Sequence, residues 1–346
     1  MTKKHTADLH NHLNGSFSLL YLKKTAEKNK CLAFYEDFVN VREEYLQLTS
    51  KQPEEGYSEK VIDLVWKQFG LIHKIVQDLD DIFEGVLDVV GNSSAKYLEI
   101  RTTPKAITPK TRDDYIEAFE QGLLEANKRF TNKKAVGLLS LDRTIHTAED
   151  AKAFISHIKN SPHHVLAGLD ISGNPSSKVN RTLTGDALTE TINLVLNSGL
   201  SIAIHMGETD TEIEKQDTDK ILSTLEKWVD SIKNKGTNPL HGRVRFGHCI
   251  FLTEQQKLRI AKLQASIEVC PTCHSKLNWH LEKSPHPVAS IYPDLSDPIV
   301  VGTDDEAIFG SGTKHEFDKV LSFFSNVKNL SRKKIKEHQA AFRFTN

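Results

Sequence analysis

His10 and His12 flank Asn11 at the end of a short run, Thr6-Ala7-Asp8-Leu9-His10-Asn11-His12. In an extended strand, side chains two apart point the same way, so the two imidazoles face together at a spacing suited to one metal ion. A single H-x-H is weak by itself, and matching ligands downstream strengthen it. Ile202-Ala203-Ile204-His205-Met206-Gly207-Glu208 places His205 at the end of an apolar strand, with Glu208 just beyond. Ile299-Val300-Val301-Gly302-Thr303-Asp304-Asp305 ends another strand in adjacent acids. Three imidazoles and one carboxylate make a site for one Zn²⁺, with a position left for water. Two neighbouring carboxylates repel unless a cation or hydrogen bonds compensate, and a metal at Asp304 would do so. The competing reading of Asp304-Asp305 is an N-cap pair before the next helix. Phe246-Gly247-His248 ends a further strand, and His248 reads either as a core histidine or as a base beside a metal-acidified water. Glu208 then serves as proton donor to a ring nitrogen.

These groups need a frame that brings strand ends together. From residue 96 onward, short apolar strands alternate with amphipathic helices. The strands are expected at 96–101, 136–141, 165–171, 200–205, 243–248, 265–269 and 298–302, and the opening run makes eight. Helices are expected at 113–129, 147–159, 185–197, 217–235 and 253–263. Such alternation requires parallel pairing, and eight units point to a (β/α)8 TIM barrel, whose catalytic side chains sit at strand C-termini. An open doubly wound sheet is the second arrangement compatible with the pattern. No Gly-x-Gly-x-x-Gly follows a strand, which argues against dinucleotide binding. Residues 17–93 are too long for one crossover and read as a helical insertion over the end of the first strand. The expected organisation is one domain over residues 1–346, with a basic surface helix in 331–346.

Composition narrows the function classes. The 346 residues carry 45 basic and 46 acidic side chains, a formal net charge of −1, with 38% hydrophobic residues. That balance gives no general attraction to nucleic acid or anionic membranes. No run of about eighteen apolar residues predicts a membrane span. The first strand begins by residue 6, leaving no room for a signal peptide, and four cysteines do not make a disulfide framework. A cytosolic protein is expected. Cys270-Pro271-Thr272-Cys273-His274 matches the c-type haem pattern literally, but no export signal accompanies it. A cytidine-type deaminase also fits poorly, because the proline lies inside the cysteine pair and no His-x-Glu precedes it. Trp66, Trp228 and Trp279 read as core or rim.

His10-Asn11-His12-Leu13-Asn14-Gly15, His205-Met206-Gly207-Glu208, Gly247-His248 and Thr303-Asp304-Asp305 together resemble, in order, the signature segments of the adenosine/AMP deaminase family. The resemblance implies a barrel with one catalytic zinc and hydrolytic removal of the amine at purine C6. It implies zinc ligation by His10, His12, His205 and Asp304. Glu208 would protonate purine N1, His248 would position and deprotonate the water, Asp305 would contact N7, and Gly173 would approach N3 by its backbone. Asn14 stands where adenosine deaminases usually have an aspartate; an amide can donate to a phosphate that a carboxylate would repel. Arg101-Thr102-Thr103-Pro104-Lys105 adds two hydroxyls and a cation. This pair of segments resembles the adenosine deaminase-like branch, which acts on N6-methyl-AMP. It implies nucleotide contacts by His12, Asn14, His73, Thr102, Thr103, Pro104, Lys105, Asp142 and Gly173, with the insertion carrying His73 acting as a lid. Met206 and Cys249 depart from the family pattern without removing a chemical group. The expected partner is a small purine nucleotide, with no nucleic acid or membrane, and the chain is expected to be a monomer. Plain adenosine deamination and a non-catalytic purine-nucleotide binder are the alternatives.

Overall fold

A computed structural model describes residues 6–50, 59–176, 178–232, 238–276, 286–291, 299–324 and 331–344. Eight strands are formed: β1 (Ala7–His12), β2 (Tyr97–Thr102), β3 (Lys134–Asp142), β4 (Leu166–Ser172), β5 (Ser201–Met206), β6 (Val244–His248), β7 (Ser266–Val269) and β8 (Ile299–Val301). They pair in parallel in sequence order. β8 returns to β1 through two backbone bonds, His12 N–H to the Asp304 carbonyl at 2.8 Å and Asp304 N–H to the His10 carbonyl at 2.7 Å. The expected (β/α)8 barrel is the observed fold.

Four helices separate β1 from β2: α1 (Leu19–Lys28), α2 (Leu32–Leu48), α3 (Glu59–Ile75) and α4 (Leu79–Asn92). The crossover helices that follow are α5 (Arg112–Arg129), α6 (Ala148–Asn160), α7 (Gly185–Ser198), α8 (Glu212–Ser231) and α9 (Glu254–Leu263). Short helices α10 (Pro271–Lys276), α11 (Pro287–Ile291) and α12 (Glu306–Phe309) precede α13 (Thr313–Phe323) and α14 (Arg332–Ala341). Capping boxes start several of them, with Asp78 and Asp81 opening α4, Thr111 and Asp114 opening α5, and Thr253 and Gln256 opening α9. α8 begins five residues before the expected 217, because Glu212 and Glu214 suit the positive end of a helix although they break the apolar period. Trp279, Pro298 and the last residues of the 217–235 helix lie outside the described residues.

The tail departs from its expected place on the surface. Ile335 and Gln339 of α14 are buried. The Gln339 side chain accepts from Val301 N–H at 2.8 Å and donates to the Ala7 carbonyl at 2.6 Å, spanning the β8–β1 seam from below. Phe342 and Phe344 complete the barrel floor with Leu9, Leu138 and Val300.

Two backbone features aim β1 into the site. Asp8 pairs with Leu98 and Asn11 with Ile100, so Leu9 and His10 together oppose one partner residue. This bulge lets Leu9 fill the floor while His10 and His12 both reach the upper interior. At the seam, Gly302 lies against His10: a methyl there would meet the His10 Cβ at 2.3 Å and its carbonyl oxygen at 2.7 Å. Gly302→Ala must push β8 away from the strand that carries two imidazoles. We expect it to lower stability by about 1–3 kcal/mol in urea unfolding and to weaken metal binding at the same time. A variant as stable as the parent would show that the seam yields freely.

Candidate active site

His10, His12, His205 and Asp304 come together at the C-terminal ends of β1, β5 and β8, with one ligand atom of each within 4.8 Å of the others. His12 Nε2 lies 3.3 Å from His10 Nε2 and 3.2 Å from His205 Nε2. Asp304 Oδ1 lies 3.3 Å from His10 Nε2 and 3.5 Å from His12 Nε2. Donors bound at about 2.0–2.1 Å to one tetrahedral ion stand at such separations from each other.

The far sides of the rings say which atoms carry lone pairs. His10 Nδ1 is 2.6 Å from Glu268 Oε2, so it carries the proton and Nε2 is left as an electron-pair donor. His205 Nδ1 is 3.1 Å from both the Ile171 carbonyl and Asp170 Oδ1, which fixes the same tautomer. Neutral imidazole lone pairs converging on one point beside a carboxylate repel one another unless a cation joins them. The donor set therefore fits a divalent metal, and its mix of three nitrogens and one oxygen suits zinc.

Glu268 is fully buried and also accepts from Arg101 Nη2 at 2.5 Å and Arg245 Nε at 2.7 Å. Burial alone would raise this carboxyl, but the two guanidiniums and His10 hold it well below the ordinary range. Neither Glu268 nor Arg245 was singled out in the sequence. Their one available signal was a charged residue inside an apolar strand, at Glu268 in β7 and Arg245 in β6.

A cavity of about 300 Å³ opens beside the four ligands. His12, Asn14, His73, Thr102, Thr103, Lys105, Asp142, Gly173, His205, Glu208, His248, Asp304 and Asp305 all line it. Pro104 is buried but does not reach the wall, and Arg101, which also lines the cavity, sends its guanidinium into the barrel toward Asp170 and Glu268. Thr102 Oγ1 is taken up by Tyr115 Oη at 2.6 Å. Gly173 has φ +128°, a backbone conformation open mainly to glycine, and its missing Cβ would meet Asp142 Oδ1 at 2.6 Å. The α3 side chains Ile62, Val65, Trp66 and Phe69 form an apolar wall that the motifs did not reveal. Trp66 is thus a rim residue.

Electrostatics separate the acids. Burial pushes Glu208 up to about 7, so it holds a proton near neutrality, and its Oε1 lies 3.7 Å from His248 Nε2. Burial would raise Asp304 too, but His10 and His248 bring it well below the ordinary range. Burial, together with the adjacent Asp304 charge, lifts Asp305 well above it. The pair is thus split: the surroundings favour the carboxylate form at Asp304 and shift Asp305 toward the neutral acid, the form that can donate a hydrogen bond. Asp305 occupies the N-cap position of α12 yet makes no capping bond with its side chain, so the N-cap reading is not what keeps it. His248, Cys249 and Asp304 have φ of +67°, +56° and +63°. Such backbone costs about 1 kcal/mol or more per residue, and at His248 and Asp304 it accompanies side chains that line the cavity.

The sequence model of the adenosine deaminase family matches residues 6–224. This chain belongs to the adenosine deaminase family. Its similarity to an N6-methyl-AMP deaminase of Xenopus laevis is 25% identity over 334 residues, covering 92% of this chain and 83% of the relative. An adenosine deaminase of Streptococcus agalactiae is 24% identical over 325 residues, covering 92% and 85%. Among solved structures, arabidopsis ADAL complexed with IMP superposes with a TM-score of 0.75 at 22% identity, covering 99% of this chain and 92% of that one. The structural likeness establishes the shared fold. Through its bond to His10 Nδ1, Glu268 is placed to orient a candidate metal ligand. Glu268→Gln should lower metal affinity about 10–100-fold in competition with a chromophoric chelator. Unchanged affinity would remove it from that role.

Proposed function

We propose that this chain is a zinc-dependent hydrolytic deaminase of N6-substituted purine nucleoside monophosphates, converting N6-methyl-AMP to IMP and methylamine. The observation that carries the nucleotide over the nucleoside is Lys105. Its ammonium lines the cavity, and burial alone lowers its pKa, with no acidic neighbour among the described residues to offset the cost. Asn14 Nδ2 lies 3.1 Å from His73 Nε2 on the same side, and Asn14 Oδ1 is buried with no partner. A half-buried cation beside an amide, an imidazole and the Thr103 hydroxyl suits a phosphate. The names of the Xenopus and arabidopsis proteins support this choice of substrate and product.

His10, His12, His205 and Asp304 would hold the ion, which when bound supplies Lewis acidity to a water. His248 takes a proton from that water at Nε2. Glu208, kept protonated by burial, hands its proton to purine N1, which makes C6 electrophilic. Asp305, also neutral, donates to N7, and the Gly173 backbone faces N3. The water oxygen bonds to C6, the proton held by His248 leaves with the departing amine as the C6–N bond breaks, and the proton still on the added oxygen returns to Glu208 as C6=O forms. The α1–α4 insertion, which brings His73 and the apolar wall of α3 to the cavity, serves as lid in this reading. A monomeric, cytosolic enzyme completes the proposal. Among the described residues no helix is long and apolar enough to cross a membrane, and all four cysteines are free thiols.

The substrate choice is tested by comparing kcat/KM for N6-methyl-AMP and adenosine, followed by ultraviolet absorbance. A clear preference for the nucleoside would sink the phosphate cradle. Lys105→Met should lower kcat/KM for the nucleotide about 10–100-fold, through loss of a charge-assisted contact of ~1.5–3 kcal/mol, and leave adenosine turnover nearly unchanged. Glu208→Gln should keep the metal and reduce kcat about 10²–10⁴-fold. Full activity in that variant would refute its assignment as the acid.

A further inference from the structure

A line of three buried histidines runs from the cavity into the protein. His248 Nδ1 lies 3.1 Å from His274 Nε2, and His274 Nδ1 lies 2.9 Å from His286 Nε2. His248, His274 and His286 are 2%, 0% and 1% exposed, and only His248 lines the cavity. His274 sits on α10, directly after the pocket-lining Cys273, and His286 immediately precedes α11. The reaction outlined above uses neither of them. Three imidazoles in a row are a costly way to fill a core, since every ring nitrogen needs a partner of the right polarity.

We propose that His274, backed by His286, is the positioning residue for His248, fixing its ring so that an Nε2 lone pair faces the cavity. The inference rests on the reading of His248 as the group that takes a proton from water. A neutral imidazole has one N–H and one lone pair, so the bond made by Nδ1 decides what Nε2 presents. The Cys270 backbone N–H points at His274 Nε2 from 3.4 Å, which makes that nitrogen an acceptor. His248 Nδ1 is then the donor to it, His274 Nδ1 donates to His286, and the outer nitrogen of His248 is left basic. At the far end the Val288 N–H, 3.2 Å from His286 Nδ1, favours the opposite direction. The position of the proton on His248 therefore reports which amide prevails. The strained backbone at His248 is consistent with a ring held from behind rather than by its own strand.

The test uses the zinc-loaded full chain. His274→Leu should cut kcat for N6-methyl-AMP about 10–100-fold with KM within about twofold and one metal still bound. His274→Gln, whose side-chain amide oxygen can accept from His248 Nδ1–H, should recover most of that loss. Nitrogen-15 NMR of histidine-labelled protein, with the resonance assigned by its absence in His248→Asn, should show His248 as a single tautomer protonated at Nδ1. In His274→Leu it should become a mixture. Wild-type His248 protonated at Nε2, a His274→Leu enzyme with unchanged kcat, or a Gln variant no better than Leu while folded and metal-loaded would each overturn the proposal. The spectroscopic reading does not need turnover. If the wild type fails to deaminate the nucleotide yet shows the expected tautomer, the functional reading fails and the positioning role stands.

Discussion

One fully buried carboxylate governs the centre of this molecule. Glu268 receives His10 from above, Arg101 from one side and Arg245 from below. Removing charges from water costs several kcal/mol per ion, and only full pairing recovers it, so each member depends on the others. Arg245 also reaches Glu99 at 2.5 Å and the Leu9 and Phe342 carbonyls at 3.1 and 2.7 Å, and its guanidinium lies 3.6 Å from the Phe344 ring centre. A barrel interior is ordinarily filled by branched apolar layers. Here its middle layer is ionic, and that layer connects the tail, the floor and a candidate metal ligand in one set of contacts.

The same layer explains why the upper interior suits a cation. Glu268 and Asp170 face the outer nitrogens of His10 and His205, which leaves the inner nitrogens as lone-pair donors next to an ionised Asp304. Ligand geometry is thus set before any ion arrives, by groups that do not touch it. Acids placed a little farther out behave differently, because burial without a guanidinium partner favours the neutral form. Glu208 and Asp305 owe their suitability as hydrogen donors to that difference in surroundings rather than to residue type.

In the proposed reading, recognition of the rest of the nucleotide falls to the long connection between β1 and β2 and to the segment after β2. α3 supplies both an apolar wall and His73, and the segment after β2 supplies Lys105. On that reading, groups on the strand ends and groups on α3 can vary separately, since α3 lines the cavity without contributing a strand to the barrel's ladder.

The strands, their parallel order and the four residues that converge as candidate ligands were legible in the sequence for a physical reason. Each is a local pattern: an apolar run buried on both faces, followed at once by a polar residue that the run cannot hide. The same locality identified Glu208, His248 and the Asp304-Asp305 pair. The tertiary structure alone decided what lies behind them. Glu268 meets His10 across the barrel with Arg245 paired behind it, His274 and His286 line up behind His248, and α14 closes the floor although its charge pattern reads as surface. It also showed that Thr102 is engaged by Tyr115 and that Pro104 stays off the cavity wall. These relations join residues far apart in the chain, and their partners are selected by packing and charge balance, which no spacing along one strand encodes.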